Sequence, residues 1–354
     1  MRVRYARRSS FHGELRRRVT AYFRATGLPV RGLRAMYAKT AVIAVWAAGS
    51  YVALVFGAAT WWQGMLAAVS FALSAAAVGF NIQHDGAHGS YSGSTRSNRI
   101  MAFGLDLLGG SSYLWHWKHN VFHHGYPNVV GMDEDLDVGP LARLAPAQRR
   151  RFAHRFQHVY MWILYGCVAF KWQLVDDFRE MFRGRIGSHP IPRPRGREVV
   201  VFVAGKAAFV TLWFCVPALV RPLWVVGIFY GGTAFVLGLV LGVVFQTAHC
   251  VEGATFTAGH AGRLDRDWAA HQVESTVDFA RDNRLVTWYL GALNFQIEHH
   301  LFPRVSHVHY PALAPIVEAV CRQYGVRYRV LRTFSAAVAA HYRWLRRLGR
   351  SGSR

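Results

Sequence analysis

Four stretches of this chain hold almost no charge. Residues 41–60 (AVIAVWAAGSYVALVFGAAT) and 61–80 (WWQGMLAAVSFALSAAAVGF) have none, 199–220 holds one lysine, Lys206, and 222–246 again has none. A bilayer core of about 30 Å needs about 20 apolar helical residues, so each stretch predicts a transmembrane helix. Short connections near 57–63 and 219–223 pair them into two hairpins. Residues 98–115 and 155–175 are apolar and aromatic but too short to span, and 98–115 is broken by Gly109 and Gly110. They predict in-plane helices at the interface. Residues 333–348 (TFSAAVAAHYRWLRRL) predict a basic amphipathic helix lying on the membrane. The expected fold class is all-α integral membrane: four transmembrane helices in two hairpins, in-plane helices and a histidine-rich cap. The pattern divides the chain into a basic arm (1–38), a main domain (39–330) and a C-terminal helix (331–354).

Charge orients this picture. The 354 residues carry a formal net charge of +23, and residues 1–38 hold ten arginines against one acid, Glu14. The loop 183–198 and the tail 343–354 are also basic, whereas the short connections carry only Arg221. By the positive-inside rule both termini and the segment 81–198 face the cytoplasm, as expected of a protein of a bacterial inner membrane. Anionic lipid headgroups then account for the basic surface. Nucleic acid is not the expected partner, because the arginines flank spans instead of forming an aromatic-interleaved patch. A secretory signal peptide does not fit an Arg-rich start whose apolar run begins this late. Cys167, Cys215, Cys250 and Cys321 form no CxxC pair, so disulfides and thiolate zinc sites are unsupported. Lys206, two turns inside its span, is expected to snorkel toward the headgroups.

The candidate chemistry lies in the histidines. There are 18, and none falls inside a predicted span. Three clusters stand out: H84-D-G-A-H88, H119-N-V-F-H123-H124 and Q296-I-E-H299-H300, with His249 just beyond the fourth span. On a helix, positions i and i+4 share a face, so His84 with His88 and His119 with His123 can each converge on one ion. His124, rotated by one residue, is placed to reach a second. Gln296 and His300 repeat the i, i+4 relation. Spans two and four both run toward the cytoplasm, so all eight histidines are expected at one membrane face. Eight imidazoles are too many for one metal and suit two; Fe, Zn, Cu and Ni all accept imidazole, so the ligands alone do not name the ion.

Other polar groups receive lesser roles. His271 is a candidate for orienting a ligand, as are Asp85 and Glu298 inside the first and third clusters and the acidic run D133-E-D-L-D137. That run fails as a calcium loop, with Gly139 at the seventh position and Leu144 at the twelfth. His154 and His158 read as structural, and His307 and His309 as packing the cap. His12, His189, His260 and His341 read as surface residues.

The motifs HDGAH (84–88), WKHNVFHHGYPN (117–128) and QIEHHLFPRVSHVHYP (296–311) resemble the membrane-bound fatty-acid desaturase family, in its front-end, acyl-lipid branch. The likeness covers roughly 40–330 and makes 39–330 a desaturase domain. It implies a four-helix membrane bundle with a cytoplasmic cap holding two iron ions. With O2 as co-substrate, these would insert a carbon–carbon double bond into a fatty acyl chain bound to a lipid, CoA or a carrier. Carried over residue by residue, the implied ligands are His84, His88, His119, His123, His124, His249, His299 and His300. Gln296 stands where other branches have histidine, as a weak ligand or hydrogen-bonding neighbour. The one His-Pro, His189-Pro190, does not continue into the His-Pro-Gly-Gly of a fused cytochrome b5 domain. Electrons are therefore expected from a separate ferredoxin or free cytochrome, for which the basic surface is suited. A hydroxylase or acetylenase built on the same centre is the alternative. A haem-carrying or metal-transporting bundle would place histidines or carboxylates near the bilayer midplane, and the spans hold none.

Overall fold

The structure, a computed structural model, describes residues 4–5, 10–258, 263–264 and 266–351. Four helices are long and apolar enough to cross a membrane: Arg34–Gly57, Trp61–His88, Arg197–Ala218 and Leu223–His249. Their bounds differ from the uncharged runs: the first begins at Arg34, and the second and fourth run on to His88 and His249. The second does not stop at residue 80 but carries the whole HDGAH cluster on its last turns, and the fourth ends on His249 itself. The helices thus continue past the apolar runs and carry these histidines at their ends. A polar residue at a helix end satisfies the backbone as well as an apolar one, so the hydropathy boundary and the helix boundary differ.

The chain forms two compact units. One comprises residues 34–118 and 162–243. Here the second span starts at Thr60, where the Gln63 carbonyl accepts from the Thr60 N–H (3.1 Å) and the Ala59 N–H (2.9 Å). Spans one and two are joined inside the apolar layer by Trp46 Nε1–H donating to Ser70 Oγ (3.0 Å), beside the Ser50–Ser70 hydroxyl pair. Glycines set the close crossings. A Cβ on Gly64 would lie 2.3 Å from the Phe229 ring, and one on Gly238 would meet the Gly166 and Tyr165 carbonyls at 2.7 Å. The in-plane regions are broken into short helices, Thr95–Ala102, Gly104–Leu107 and Ser112–Trp115 in the first, and Val168–Lys171 and Asp177–Arg183 around the second.

Lys206 does not snorkel. It is buried, and its ammonium donates to Asp177 Oδ2 (2.8 Å) and to the Gly109 carbonyl (2.6 Å). The helix Asp177–Arg183 and the left-handed turn at Gly109 (φ 87°) bring acceptors to the lysine, which then needs no headgroup. Burial holds the Asp177 carboxyl up at about 6, against the pull of Lys206. Removing one partner of a buried ion pair costs about 3–5 kcal/mol, whereas replacing both by apolar groups is close to neutral. Lys206→Met is therefore expected to lower the melting temperature in detergent strongly, and Lys206→Met/Asp177→Leu to restore most of the loss.

The other unit comprises residues 1–33, 119–161 and 244–354. The basic arm is not a loose tail: helix Ser10–Thr26 buries Phe11, Leu15 and Val19. Phe11 and Leu15 join Val273, Ile297, Leu301, Val317 and Cys321 in one apolar cluster beneath the third histidine motif. Short parallel ladders tie distant segments together, Val129–Val130 with Thr257–Ala258 and Asp278–Phe279 with Val330–Leu331. The C-terminal helix Phe334–Arg350 spends its apolar face on this unit instead of on the membrane. Trp344 Nε1–H donates to the Leu144 carbonyl (2.9 Å), and fully buried Arg143 donates to the Leu348 carbonyl (3.0 Å). His341, read from sequence as a surface residue, is wholly buried, its Nδ1–H donating to the Cys250 carbonyl (2.6 Å). His260 lies outside the described residues.

Candidate metal centre

The second motif, His116–His123, is not an ordinary α-helix but a run of π-type turns. The His124 N–H bonds to the His119 carbonyl five residues back (2.9 Å). Such widened turns are rare and concentrate at functional sites. The consequence is direct: residues i and i+5 come to face each other, and His119 Nε2 and His124 Nε2 lie 3.2 Å apart. The i, i+4 rule that rotates His124 away is overridden by the extra residue in the turn. A similar widening, Val78–Gln83, precedes His84.

Three elements of this unit deliver six buried imidazoles to one place: the π-turn (His119, His123, His124), the end of the fourth span (His249) and helix Gln296–Leu301 (His299, His300). Ring centroids are 4.6 Å apart for His123 and His249, 5.0 Å for His123 and His300, 4.6 Å for His124 and His299, and 4.3 Å for His124 and His300. Two all-imidazole groups result, His123–His249–His300 and His124–His299–His300, beside a third group, His119–His123–Asp135, each with its donor atoms within 4.8 Å of one another. His300 is common to the first two. The set fits transition-metal ions. Imidazole nitrogens bind such ions at about 2.0–2.1 Å, and donor atoms within 4.8 Å of one another, as in each group, can reach one ion with small side-chain movements. The donors of the first two groups are imidazole nitrogens, and the adjacent buried Cys250 enters neither of them.

Around the rings a second layer fixes which nitrogen points inward. His123 Nδ1–H donates to Asp133 Oδ1 (3.1 Å), and Asp133 also accepts from the N–H groups of Asn128 (2.9 Å) and Asp135 (3.1 Å). Burial raises the Asp133 carboxyl, but facing His123 and the Asn128 N–H hold it below its ordinary value. His300 Nδ1–H donates to Gln272 Oε1 (2.8 Å), while Gln272 Nε2–H reaches the His124 carbonyl (3.2 Å). Each such bond makes Nδ1 the donor and Nε2 the acceptor nitrogen of its ring, the form that ligates a metal. Asn128, held in the left-handed region (φ 57°), donates from its amide to the carbonyls of His249 (3.1 Å) and Ser275 (2.9 Å). Gln272 and Asn128 escape sequence reasoning. Their one signal is an amide residue beside each motif, in HQVES and GYPN.

The remaining candidates are placed differently. Gln296 Nε2 lies 3.0 Å from His249 Nε2, so it meets the His249 ring at that nitrogen. His271 donates Nε2–H to the Pro127 carbonyl (2.8 Å), and burial lowers its pKa to about 4; it anchors the chain beside Asn128 and enters neither ligand group of this unit. Glu298, expected to orient a ring, instead accepts from the Tyr328 hydroxyl (2.9 Å). That hydroxyl shares its one proton with Asp278 Oδ2, also in contact at 2.5 Å, and burial beside Asp278 raises Glu298 well above the carboxylate range. The i, i+2 geometry explains this: Glu298 points away from the face that carries His300. His154 accepts from the Arg151 N–H (3.1 Å) and donates to the Pro140 carbonyl (3.0 Å), and His158 packs on Tyr342.

His84 and His88 belong to the other unit, on the last turn of the second span. Their rings lie 4.7 Å apart, and Trp115 packs edge-on to both at 5.7 and 5.8 Å. Asp85 is buried there and interacts electrostatically with buried Lys39. The glycine of HDGAH is sterically required. A Cβ at Gly86 would lie 2.6 Å from the Ala102 nitrogen and 2.8 Å from the Asn98 carbonyl. Gly86→Ala is expected to push helix Thr95–Ala102 away, cost about 1–3 kcal/mol and lower bound metal. Thermal melts with metal analysis of the purified variant check both.

Comparison with known proteins follows the same residues. The family profile described as fatty acid desaturase matches residues 59–332. The chain is 37% identical over 348 residues to the sn-1 linoleoyl-lipid 6-desaturase of Arthrospira platensis, covering 98% of this chain and 95% of that protein. It is 34% identical over 353 residues to the protein of that name from Synechocystis, covering 99% and 98%. It is 36% identical over 358 residues to the acyl-lipid (8-3)-desaturase of Physcomitrium patens, covering 97% of this chain and 72% of the relative.

Proposed function

This chain belongs to the fatty acid desaturase family, and from that premise we propose that it is an O2-dependent di-iron enzyme that desaturates an acyl chain carried by a membrane lipid. The observation that carries the reading is the pair of buried all-imidazole ligand groups sharing His300, inside a chain similar over nearly its whole length to lipid-linked acyl desaturases. By the names of those relatives, the substrate is an already unsaturated acyl group, with the new double bond placed toward its carboxyl end.

His123, His124, His249, His299 and His300, with His119, supply the cap's share of the ligands. His84 and His88 complete the eight on the family pattern. When bound, the iron pair supplies the activation of O2 and the removal of two hydrogens from unactivated methylenes. The protein holds the imidazoles in one tautomer through Asp133 and Gln272, keeps the rings out of water, and presents neutral donors that leave the reacting charge on the metals. Gln296 at His249 occupies one edge of the site with a group weaker than imidazole. The overall balance is R–CH2–CH2–R′ + O2 + 2e⁻ + 2H⁺ → R–CH=CH–R′ + 2H2O, the electrons coming from a separate one-electron carrier. Both termini and the centre lie on the cytoplasmic side of a bacterial inner membrane, following the arginine distribution.

Expression with a ferredoxin system in a host supplied with linoleate tests this. Mass spectrometry of the total fatty acids, with double-bond localisation, is expected to reveal a newly unsaturated isomer in the lipid fraction. Unchanged acyl chains in cells whose purified protein carries full iron would overturn it, and a hydroxylated product would move the reading to the hydroxylase.

A further inference from the structure

The metal-ligating nitrogens are buried, so electrons must enter through protein. We propose that they enter at a groove on the N-terminal helix side of the cap, which docks a small acidic iron–sulfur carrier. This rests on the desaturase reading above. The groove, about 600 Å³, is lined by His12, Arg16 and Thr20 of helix Ser10–Thr26, by Trp268, and by Leu301 and Phe302.

Three observations converge there. The first is reach. Trp268 opens helix Trp268–Ser275, and Gln272, one turn further, accepts from His300 Nδ1 and donates to the His124 carbonyl. Leu301 and Phe302 directly follow His300 in the chain. Both walls of the groove therefore lead into the ligands within about one helical turn, ~6 Å of rise. Tunnelling falls steeply with distance, so this is where an exterior donor gains most. The second is charge. Helix Ser10–Thr26 carries Arg16, Arg17, Arg18 and Arg24 against Glu14. Arg17 and Arg18 are committed to Glu14 at 2.7 Å, while Arg16 is exposed at the groove and has no ion-pair partner among the described residues. An acidic partner is steered to such a face. The third is contrast. A depression beside His123 and His249 themselves is small and flanked by Asp133 and Asp135, the wrong sign for an acidic donor. The aromatic rim, with Trp268 half-buried and His12 packed on it at 5.4 Å, suits a wet, transient contact around an apolar centre. Each encounter transfers one electron and oxidises one carrier; two carriers are consumed per double bond.

The experiment uses the full-length, iron-loaded protein in nanodiscs and a plant-type [2Fe–2S] ferredoxin as the probe. Binding is measured across a salt series, with stopped-flow reoxidation of the reduced ferredoxin. Arg16→Glu/Thr20→Glu is expected to weaken binding about tenfold or more and to flatten its salt dependence. Arg96→Glu/Arg99→Glu, an equally exposed charge reversal in the other unit, is expected to stay within about twofold. Should the double variant lose iron, Arg16→Gln alone is expected to weaken binding about threefold. Unchanged ferredoxin affinity in an iron-replete groove variant, or equal loss in the control, overturns the docking site. So does a groove variant that loses only binding to anionic vesicles, which would make the groove a lipid surface. Wild-type product formation with a chemical reductant is followed in parallel. Its absence would sink the desaturase reading, whereas its presence with an unimpaired groove variant sinks only this inference.

Discussion

His300→Ala is expected to abolish desaturation and to take bound iron from about two ions per chain to below about one. The reason is its place in the cluster. His300 is the one residue shared by the two all-imidazole groups of the cap, and its Nδ1–H is committed to Gln272, which leaves Nε2 as its acceptor nitrogen. Loss of any other single imidazole leaves one group intact; loss of His300 opens both. The fold is expected to survive, because the apolar cluster of Phe11, Leu15, Ile297, Leu301 and Val317 beneath the helix does not include it. Metal analysis of the purified variant beside its circular dichroism separates the two effects. Full iron content in a folded His300→Ala protein would remove this residue from the centre.

Asp133→Asn is expected to cost about 10–100-fold in activity or iron affinity while leaving the ligand set complete. Asp133 receives three N–H groups, from His123, Asn128 and Asp135, and every one is a donor. An amide offers one acceptor oxygen in place of two and turns its own N–H toward a donor, so either the His123 ring or the Asn128 turn loses its partner. The companion change Asp135→Asn is expected to fall within about threefold. That carboxylate lies 3.5 Å from His123 Nδ1 and is 36% exposed, so water screens it. Steady-state assays and iron titrations of the two variants side by side check the contrast, and equal losses would mean that the acidic loop acts through its net charge alone.

Much of this was legible because histidine is costly to bury and so rarely clusters by chance. The spans followed from hydropathy, and the eight candidate ligands from their spacing and the family likeness. What spacing could not carry is local backbone. The i, i+4 rule presumes an α-helix, and the π-turn at His116–His123 turned His124 onto His119. Hydropathy does not mark where the second and fourth long helices stop, because HDGAH and His249 are polar yet helical. Long-range pairing was equally invisible. Lys206 finds Asp177, His341 finds the Cys250 carbonyl and Glu298 finds Tyr328, across 29, 91 and 30 residues. Buried polar groups must be satisfied, but sequence does not say by whom.

The identity of the buried centre is the claim on which the rest depends. X-ray absorption at the iron edge of protein purified from iron-supplied cells addresses it directly. A di-iron centre on these histidines gives an iron–iron vector, a shell of imidazole nitrogens without sulfur, and a loss of the iron–iron vector in His300→Ala. A mononuclear site, a sulfur shell, or a spectrum indifferent to His300 would contradict it.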